Sequence, residues 1–140
     1  MKKGKKTDFL EPLSSRVKRT RYAVVDIESK DGDSQSPGFT RPFLIGVYDA
    51  ERKQYLEFRD EPHLRTRAWR ERAVSPGGCI DKAMNYLMSP LFKNYNVYAH
   101  NGGSFDHLFW LEWLRRHEQE YGFEIVPVQS SIQVIKAWIR

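Results

Sequence analysis

The pattern of hydrophobic and polar positions divides the first half of the chain into a polar stretch and three short apolar segments. Residues 1–20 are mostly polar and basic, and we interpret them as a flexible arm. The three apolar segments are 22–27, 42–48 and 53–58. They are rich in β-branched and aromatic residues and are separated by turn-forming residues, so the pattern predicts an antiparallel meander of three strands. Because segment 22–27 is apolar on both faces, we place it at the centre of a sheet.

The second half of the chain alternates between helical and strand patterns. Apolar residues recur at helical spacing from Cys79 to Ser89, and residues 59–75 before them read as a surface connection. A strand is expected at about 96–100, followed by a strongly apolar helix at about 104–120. Two further strands are expected, bent apart from each other, at 124–128 and 133–139.

This order of elements indicates an α/β fold. A strand–helix–strand unit joins parallel strands, and the antiparallel meander extends the same sheet. The order resembles the ribonuclease-H-like architecture, a mixed sheet with flanking helices. We therefore expect a basic arm at 1–20 and a domain at 21–140 that is incomplete at its C-terminus.

Composition excludes several classes of protein. The chain has 140 residues and one cysteine, Cys79, so it has no internal disulfide framework. No apolar run approaches the roughly 20 residues that span a bilayer, and no apolar segment of signal-peptide type follows the basic N-terminus. We expect an intracellular protein that is not secreted and has no membrane partner.

The positive charge is concentrated at the N-terminus. The chain has a net charge of +5, and residues 1–21 carry eight basic and two acidic side chains. A basic arm on a nearly neutral body is typical of proteins that bind nucleic acid. A solubilising tail is equally compatible with this distribution.

Two acidic residues lie two positions apart where the first strand loses its apolar character. Successive side chains of a strand point to opposite faces, so Asp26 and Glu28 are expected on one face, roughly 7 Å apart. Two like charges so placed are unfavourable unless a cation lies between them. That cation is either a Lys or Arg side chain or a divalent metal ion, and Mg²⁺ and Mn²⁺ prefer such oxygen ligands.

A third carboxylate, Asp106, opens the second helix, where the helix dipole favours a negative charge. If the first strand lies beside the strand that ends near His100, the glycine turn at 102–103 brings Asp106 to the same edge as Asp26 and Glu28. Three carboxylates there could hold two Mg²⁺ or Mn²⁺ ions and promote phosphodiester hydrolysis. The alternative is that Asp106 only complements the helix dipole.

The amino-acid sequences around Asp26 and Asp106 resemble the exonuclease motifs of family B DNA polymerases. Residues 26–28, Asp-Ile-Glu, resemble the first motif. Residues 101–106, Asn-Gly-Gly-Ser-Phe-Asp, resemble the second, which reads Asn-x(2–3)-(Phe/Tyr)-Asp. The longer stretch 98–103 is most similar to the protein-primed branch found in phages and linear plasmids. The resemblance covers roughly residues 20–140.

The resemblance implies a ribonuclease-H-like (DEDD) proofreading domain in DNA replication. Such a domain removes nucleotides from single-stranded DNA in the 3′ to 5′ direction with two metal ions, Mg²⁺ or Mn²⁺. Asp26, Glu28 and Asp106 would then bind the ions and be catalytic. The residues expected to contact the 3′ end of the DNA are Ser29, His100, Asn101 and Phe105.

The chain departs from the family at the third exonuclease motif, Tyr-x3-Asp, which supplies a fourth carboxylate and a tyrosine. No aspartate follows Asp106, and the last tyrosine is Tyr121. We therefore expect the front part of a longer polymerase, whose partner is the remaining polymerase polypeptide or a terminal protein. For the chain as it stands we expect weak exonuclease activity or none.

A second function stays open beside the enzyme. The chain would then be a non-catalytic, exonuclease-like module that binds nucleic acid or a polymerase partner. The missing third motif favours this module for the isolated chain, whereas the three carboxylates favour an enzyme for the parent protein.

Other conspicuous side chains are expected to be structural. Trp110 and Trp113 could stack on bases, but their place on an apolar helix favours the core. Cys79 is expected to be an ordinary packed residue. The arginines between Arg65 and Arg72 could contact phosphate, but the acidic residues among them favour a solvated surface.

Overall fold

The computed structural model describes residues 20–31, 40–66, 74–99, 106–129 and 131–140. These residues form a mixed α/β structure, which confirms the predicted fold class at that level. The elements in chain order are β1 (Arg21–Asp31), β2 (Thr40–Asp49), β3 (Gln54–Arg59), α1 (Cys79–Leu87), β4 (Tyr95–Ala99), α2 (His107–Arg116), β5 (Tyr121–Val128) and β6 (Ser131–Ile139). Short 3₁₀ turns lie at Pro62–Thr66 and Pro90–Phe92.

Strands β1 to β4 form a mixed sheet in the order β3-β2-β1-β4. The pairs β1–β2 and β2–β3 are antiparallel, so the predicted meander is confirmed. Helix α1 lies in the crossover from β3 to β4, and β4 pairs with β1 in parallel. The central position predicted for the first strand is therefore confirmed.

Strand β1 is longer than its apolar segment predicts. It continues to Asp31, because its last residues still pair with β2, where Asp31 lies opposite Thr40. The apolar residues predicted the buried part of this strand. They did not predict its end, which is polar but still hydrogen-bonded to β2.

Helix α2 is shorter than predicted and ends at Arg116. The backbone N–H of His117 bonds to the carbonyl oxygens of Trp113 and Leu114, which closes the last turn. The chain then turns through residues 117–120 and enters β5 directly. The start of this helix at residue 104 was also predicted, and residues 104 and 105 lie outside the described ranges.

The core lies on one face of the sheet. Val25 and Ile27 of β1 and Ile45 and Val47 of β2 are buried against both helices. The helical side chains of the same core are Cys79, Ile80, Ala83, Met84, Trp110, Trp113 and Leu114. The prediction that the two tryptophans and Cys79 are core residues is confirmed.

The opposite face of β1 is exposed, although segment 22–27 is apolar on both faces. Tyr22 and Val24 alternate with the buried Ala23 and Val25, and both are more than one-third exposed. The reason is that both helices pack with the Val25 side of the sheet. We call the face that carries Tyr22 and Val24 the open face.

Strands β5 and β6 form a separate two-stranded antiparallel sheet instead of bending apart. The residue between them with a left-handed backbone is Gln129, whose φ is 54°. The hairpin packs on α2 through Tyr121, whose ring centroid lies 5.3 Å from that of Trp113. On its outer side Trp138 covers Gly122, where an added Cβ would lie 2.4 Å from the indole nitrogen.

Two further predictions fall on residues that the structure does not describe. These are the basic arm, of which only Thr20 is described, and most of the arginine cluster between Arg65 and Arg72. In the described ranges no helix has the length and apolarity needed to cross a membrane.

Candidate functional site

The two acidic side chains of β1 lie on the open face. Asp26 and Glu28 are exposed, whereas Val25 and Ile27 between and beside them are buried. This is the arrangement that the strand alternation predicts, and it places the two carboxylates roughly 7 Å apart along the strand. Ser29, the next residue, is half-buried.

A β-bulge follows Glu28. Glu28 lies opposite Leu44 of β2, but Ser29 lies opposite Pro42, so Phe43 is the extra residue on β2. The ammonium group of Lys30 lies 5.0 Å from the centre of the Phe43 ring. Bulges bend a strand and change the direction of its side chains, and they are frequent beside active sites. Here the bulge shifts the register of the two strands directly after the two carboxylates.

A tyrosine and a third carboxylate lie beside Asp26 on the same face. Asp26 is opposite Gly46 of β2, and Gly46 is opposite Glu57 of β3. The ring of Tyr55 covers Gly46, where a Cβ would lie 2.8 Å from the tyrosine hydroxyl. That hydroxyl donates a hydrogen bond to Glu57 Oε1 at 3.2 Å. Gly46 therefore allows Tyr55 to lie across the sheet between Glu57 and Asp26.

The acidic residues of this cluster affect the ionisation of Tyr55. Desolvation, the negative charge of Glu57, the hydrogen bond to Glu57 and the charge of Asp26 together raise the pKa of Tyr55 above its usual value of 10.0. Sequence analysis did not identify Tyr55 and Glu57. Strand alternation places them on one face of β3, but their distance from Asp26 depends on the register of three strands.

Strand β4 ends beside the carboxylates. It is parallel to β1, and its last residue, Ala99, lies opposite Val25, the residue before Asp26. The chain therefore leaves the sheet next to Asp26 and enters residues 100–105, which carry most of the second motif. Sequence analysis placed both motifs at one edge on the condition that the first strand lies beside the strand that ends near His100, and β4 meets this condition. His100, Asn101 and Phe105 themselves lie outside the described residues.

Asp106 is placed differently from the two acids of β1. It directly precedes α2, has helical backbone angles and is only 2% exposed. Asp26 and Glu28 lie on the open face, whereas α2 packs on the covered face. Among the residues described, no three His, Cys, Asp or Glu side chains form a group that could hold a metal ion. The structure thus brings Asp26 and Glu28 together, and Asp106 does not complete a three-carboxylate group with them.

Asp26 and Glu28 alone fit one kind of metal binding. Mg²⁺ keeps several of its waters and is commonly held by one or two carboxylates together with the phosphate oxygens of a substrate. Two exposed carboxylates that are two residues apart on the same face of a strand can form such a partial site. Tyr55 beside them provides a hydroxyl group. They do not fit a site for two ions without further ligands.

Comparison with known proteins adds nothing to what these residues indicate about function. No protein-family model and no curated protein sequence matches the chain.

Proposed function

We propose that this chain is the front segment of the 3′–5′ exonuclease of a family B DNA polymerase. It would act with Mg²⁺ or Mn²⁺ on the 3′ end of single-stranded DNA, with Asp26, Glu28 and Asp106 as metal ligands. Ser29, His100, Asn101 and Phe105 would contact the DNA end. The resemblance of residues 26–28 and 101–106 to two exonuclease motifs supports this function.

One structural observation carries the proposal. β4 lies beside β1 in parallel and ends opposite Val25, so the strand that directly precedes the second motif ends next to the first motif. The strand order, with a helical crossover into a strand parallel to the first, is also the order of the ribonuclease-H-like fold. A chance match of two motifs has no reason to place the strand that precedes the second motif beside the strand that carries the first.

The placement of Asp106 limits what the chain does by itself. Because Asp106 is buried and does not group with the acids of β1, we propose that the full metal site forms only together with the segment that carries a Tyr-x3-Asp motif. That segment would supply a fourth carboxylate in addition to Asp26, Glu28 and Asp106. The isolated chain would then bind one metal ion weakly and cut DNA slowly or not at all.

The same observation favours a second candidate, a non-catalytic module that binds nucleic acid or a polymerase partner. The two candidates differ in whether Asp26 and Glu28 bind a divalent metal ion. An enzyme segment needs this binding, whereas a module that has lost catalysis does not.

The test is a titration of the isotope-labelled chain with Mn²⁺, a paramagnetic ion that broadens the NMR signals of nearby amides. We expect broadening first at residues 25–29 and 96–99. The double variant Asp26→Asn with Glu28→Gln should abolish it, because the amides keep the shape but not the charge of the ligands. The control variant Glu118→Gln changes an exposed acid outside the sheet and should leave the broadening unchanged. Equal broadening at all exposed acids would contradict the proposed metal site.

Activity is tested on the chain extended by the sequence that follows it in its coding DNA. We expect Mn²⁺-dependent shortening of a 5′-labelled single strand. The double variant should lower the rate by roughly a hundredfold or more, since metal-ion stabilisation is worth several kcal/mol and each 1.36 kcal/mol is tenfold. Cleavage at the wild-type rate in the variant would exclude this site.

A further inference from the structure

The open face of the sheet carries an exposed tyrosine on each of its four strands. Tyr55 of β3 lies opposite Tyr48 of β2, Tyr48 lies opposite Val24 of β1, and Val24 lies opposite Tyr98 of β4. Tyr22 contacts Tyr98 edge to face, with 6.2 Å between ring centroids. We call Tyr22, Tyr48, Tyr55 and Tyr98 the tyrosine row.

The tyrosine row is exposed. Tyr55 is 57%, Tyr98 56%, Tyr48 41% and Tyr22 40% accessible, and Val24 at the centre of the row is also exposed. Neighbouring strands lie about 4.8 Å apart, so the row extends roughly 15 Å across the sheet. Contiguous apolar surface of this kind on a folded chain usually marks a binding surface. Aromatic rings spaced along a strip offer successive stacking positions for unpaired bases, which bind such rings irrespective of sequence.

One border of the row is positively charged. Arg21, Lys53 and Lys93 are exposed where β1, β3 and β4 begin, and Glu51 in the turn before Lys53 offsets one of these charges. The same turn is held near β4 by Arg52, whose Nη1 donates to the Tyr95 hydroxyl at 3.4 Å. In addition, the basic residues 1–19 directly precede this border in the chain. Phosphate groups would be attracted to it.

The other border carries Asp26, Glu28 and Glu57 on the same face beyond the row. Arg59 pairs with Glu57 there and offsets one of these charges, so the border is acidic on balance. A polyanion on the row would be attracted at one border and repelled at the other. An uncharged apolar partner would respond to neither border. A second copy rotated end to end would place its basic border against this acidic one, so the test below includes the oligomeric state.

We propose that the tyrosine row is a stacking platform for single-stranded DNA, with the phosphates along the border formed by Arg21, Lys53 and Lys93. The choice of DNA as the ligand rests on the proposed function. The platform leads the strand onto the same face as Asp26 and Glu28. It acts by stacking and charge and requires no metal ion.

The test measures binding of a fluorescein-labelled oligothymidylate by anisotropy in EDTA, so that no metal is bound and nothing is cut. Tyr98→Val and Tyr48→Val should each weaken binding about tenfold, within the range found when one stacking ring is removed. Tyr98→Phe and Tyr48→Phe should bind like the wild type, because phenylalanine keeps the ring. Valine is a good strand former, so the variants should retain the fold, which circular dichroism checks.

A matched control is Trp138→Val, which removes an exposed aromatic ring from the separate hairpin sheet. It should leave DNA binding unchanged. The proposal is overturned if the Tyr→Val variants bind like the wild type, or if Trp138→Val weakens binding as much as they do. It is also overturned if the wild type shows no binding, or if sedimentation shows a dimer that Tyr98→Val dissociates, because a second copy would then occupy the row.

This test is independent of the metal site. The variant Asp26→Asn with Glu28→Gln removes two negative charges beside the row, so it should bind the oligonucleotide in EDTA at least as tightly as the wild type. Weaker binding by this variant would contradict the platform. Failure of the Mn²⁺ titration would reject the nuclease proposal and leave the anisotropy result unaffected.

Discussion

Asp49 shows how much one residue can depend on tertiary structure in this chain. It ends β2, is almost fully buried, and accepts hydrogen bonds from the backbone N–H groups of Glu51 at 3.0 Å and Arg52 at 3.2 Å. Its carboxylate also pairs with the Arg52 guanidinium and accepts a hydrogen bond from the Tyr95 hydroxyl. Sequence analysis recognised residues 49–52 as a turn. The contact with Tyr95 joins that turn to the start of β4 and was not predictable from the turn itself.

The balance of these contacts sets the ionisation of Asp49. Desolvation on burial raises its pKa, but the hydrogen bond from Arg52, the two backbone N–H groups and the Arg52 charge together lower it below the ordinary value of 3.8. A carboxyl whose pKa is lowered on folding stabilises the native state fully at pH values above the ordinary pKa. That stabilisation is lost as the pH falls through the lower, folded-state pKa.

We predict that Asp49→Asn lowers the free energy of unfolding at neutral pH by about 1 to 3 kcal/mol, because the amide nitrogen replaces Oδ2 and the Arg52 guanidinium loses its charged acceptor. The measurement is urea denaturation between neutral pH and pH 2. The difference from the wild type should shrink as the pH falls from 3.8 through the lower folded-state pKa, because Asp49 is then protonated first in the unfolded and afterwards in the folded chain. Glu51→Gln, an exposed change in the same turn, should alter stability by less than about 0.5 kcal/mol. A difference that is constant with pH would contradict the ionised role of Asp49.

At the scale of elements, the two helices are joined through a buried polar contact. Trp113 of α2 donates from its indole nitrogen to Asp81 Oδ1 of α1 at 2.8 Å, and both side chains are buried. The other carboxylate oxygen of Asp81 accepts the backbone N–H of Gly77 at 3.1 Å, just before the helix begins. Asp81 therefore links the start of α1 to the middle of α2. The helical pattern predicted both helices but not this link, since α1 and α2 are separated by β4.

We predict that Trp113→Phe lowers the free energy of unfolding by about 2 to 3 kcal/mol. The variant leaves a buried carboxylate oxygen without its donor and opens space in the core. Trp138→Phe is the matched control, because Trp138 is exposed on the hairpin, and it should change stability by less than about 0.5 kcal/mol. Equal urea midpoints for Trp113→Phe and the wild type would contradict the role of the link.

At the scale of the whole molecule, charge is distributed unevenly around the sheet. The chain is basic overall, yet acids lie on the open face towards the C-terminal end of β1, and bases lie around the end of the sheet where β1, β3 and β4 begin. The basic residues 1–19 enter the fold at that N-terminal end. The arm and the basic border of the tyrosine row would therefore act on the same ligand.

We predict that deletion of residues 2–19 weakens binding to single-stranded DNA and flattens its dependence on salt. The deleted segment carries seven basic and two acidic residues, and each phosphate contact contributes about 0.7 to the slope for single strands. The measurement is the slope of log affinity against log salt concentration, by anisotropy. Lys136→Gln, which removes an exposed lysine of β6, is the control and should leave the slope unchanged. An unaltered slope in the deletion would show that the arm is not part of the binding surface.

Local patterns in the sequence determined the strands and helices, the burial of Trp110 and Trp113, and the common face of Asp26 and Glu28. These features depend on backbone periodicity and on residues a few positions apart, so short stretches of the sequence are enough to predict them. Boundaries were less accurate, because β1 and α2 end where pairing and turns end rather than where apolar character ends.

Only the tertiary structure decided that β4 pairs with β1, which face the helices cover, and where Asp106 lies relative to Asp26 and Glu28. It also decided that Tyr55 crosses Gly46 and that the tyrosine row runs through four strands. These features depend on the register of segments far apart in the chain and on the packing of both helices against one face. Such packing is a property of the whole core, and no single stretch of sequence specifies it.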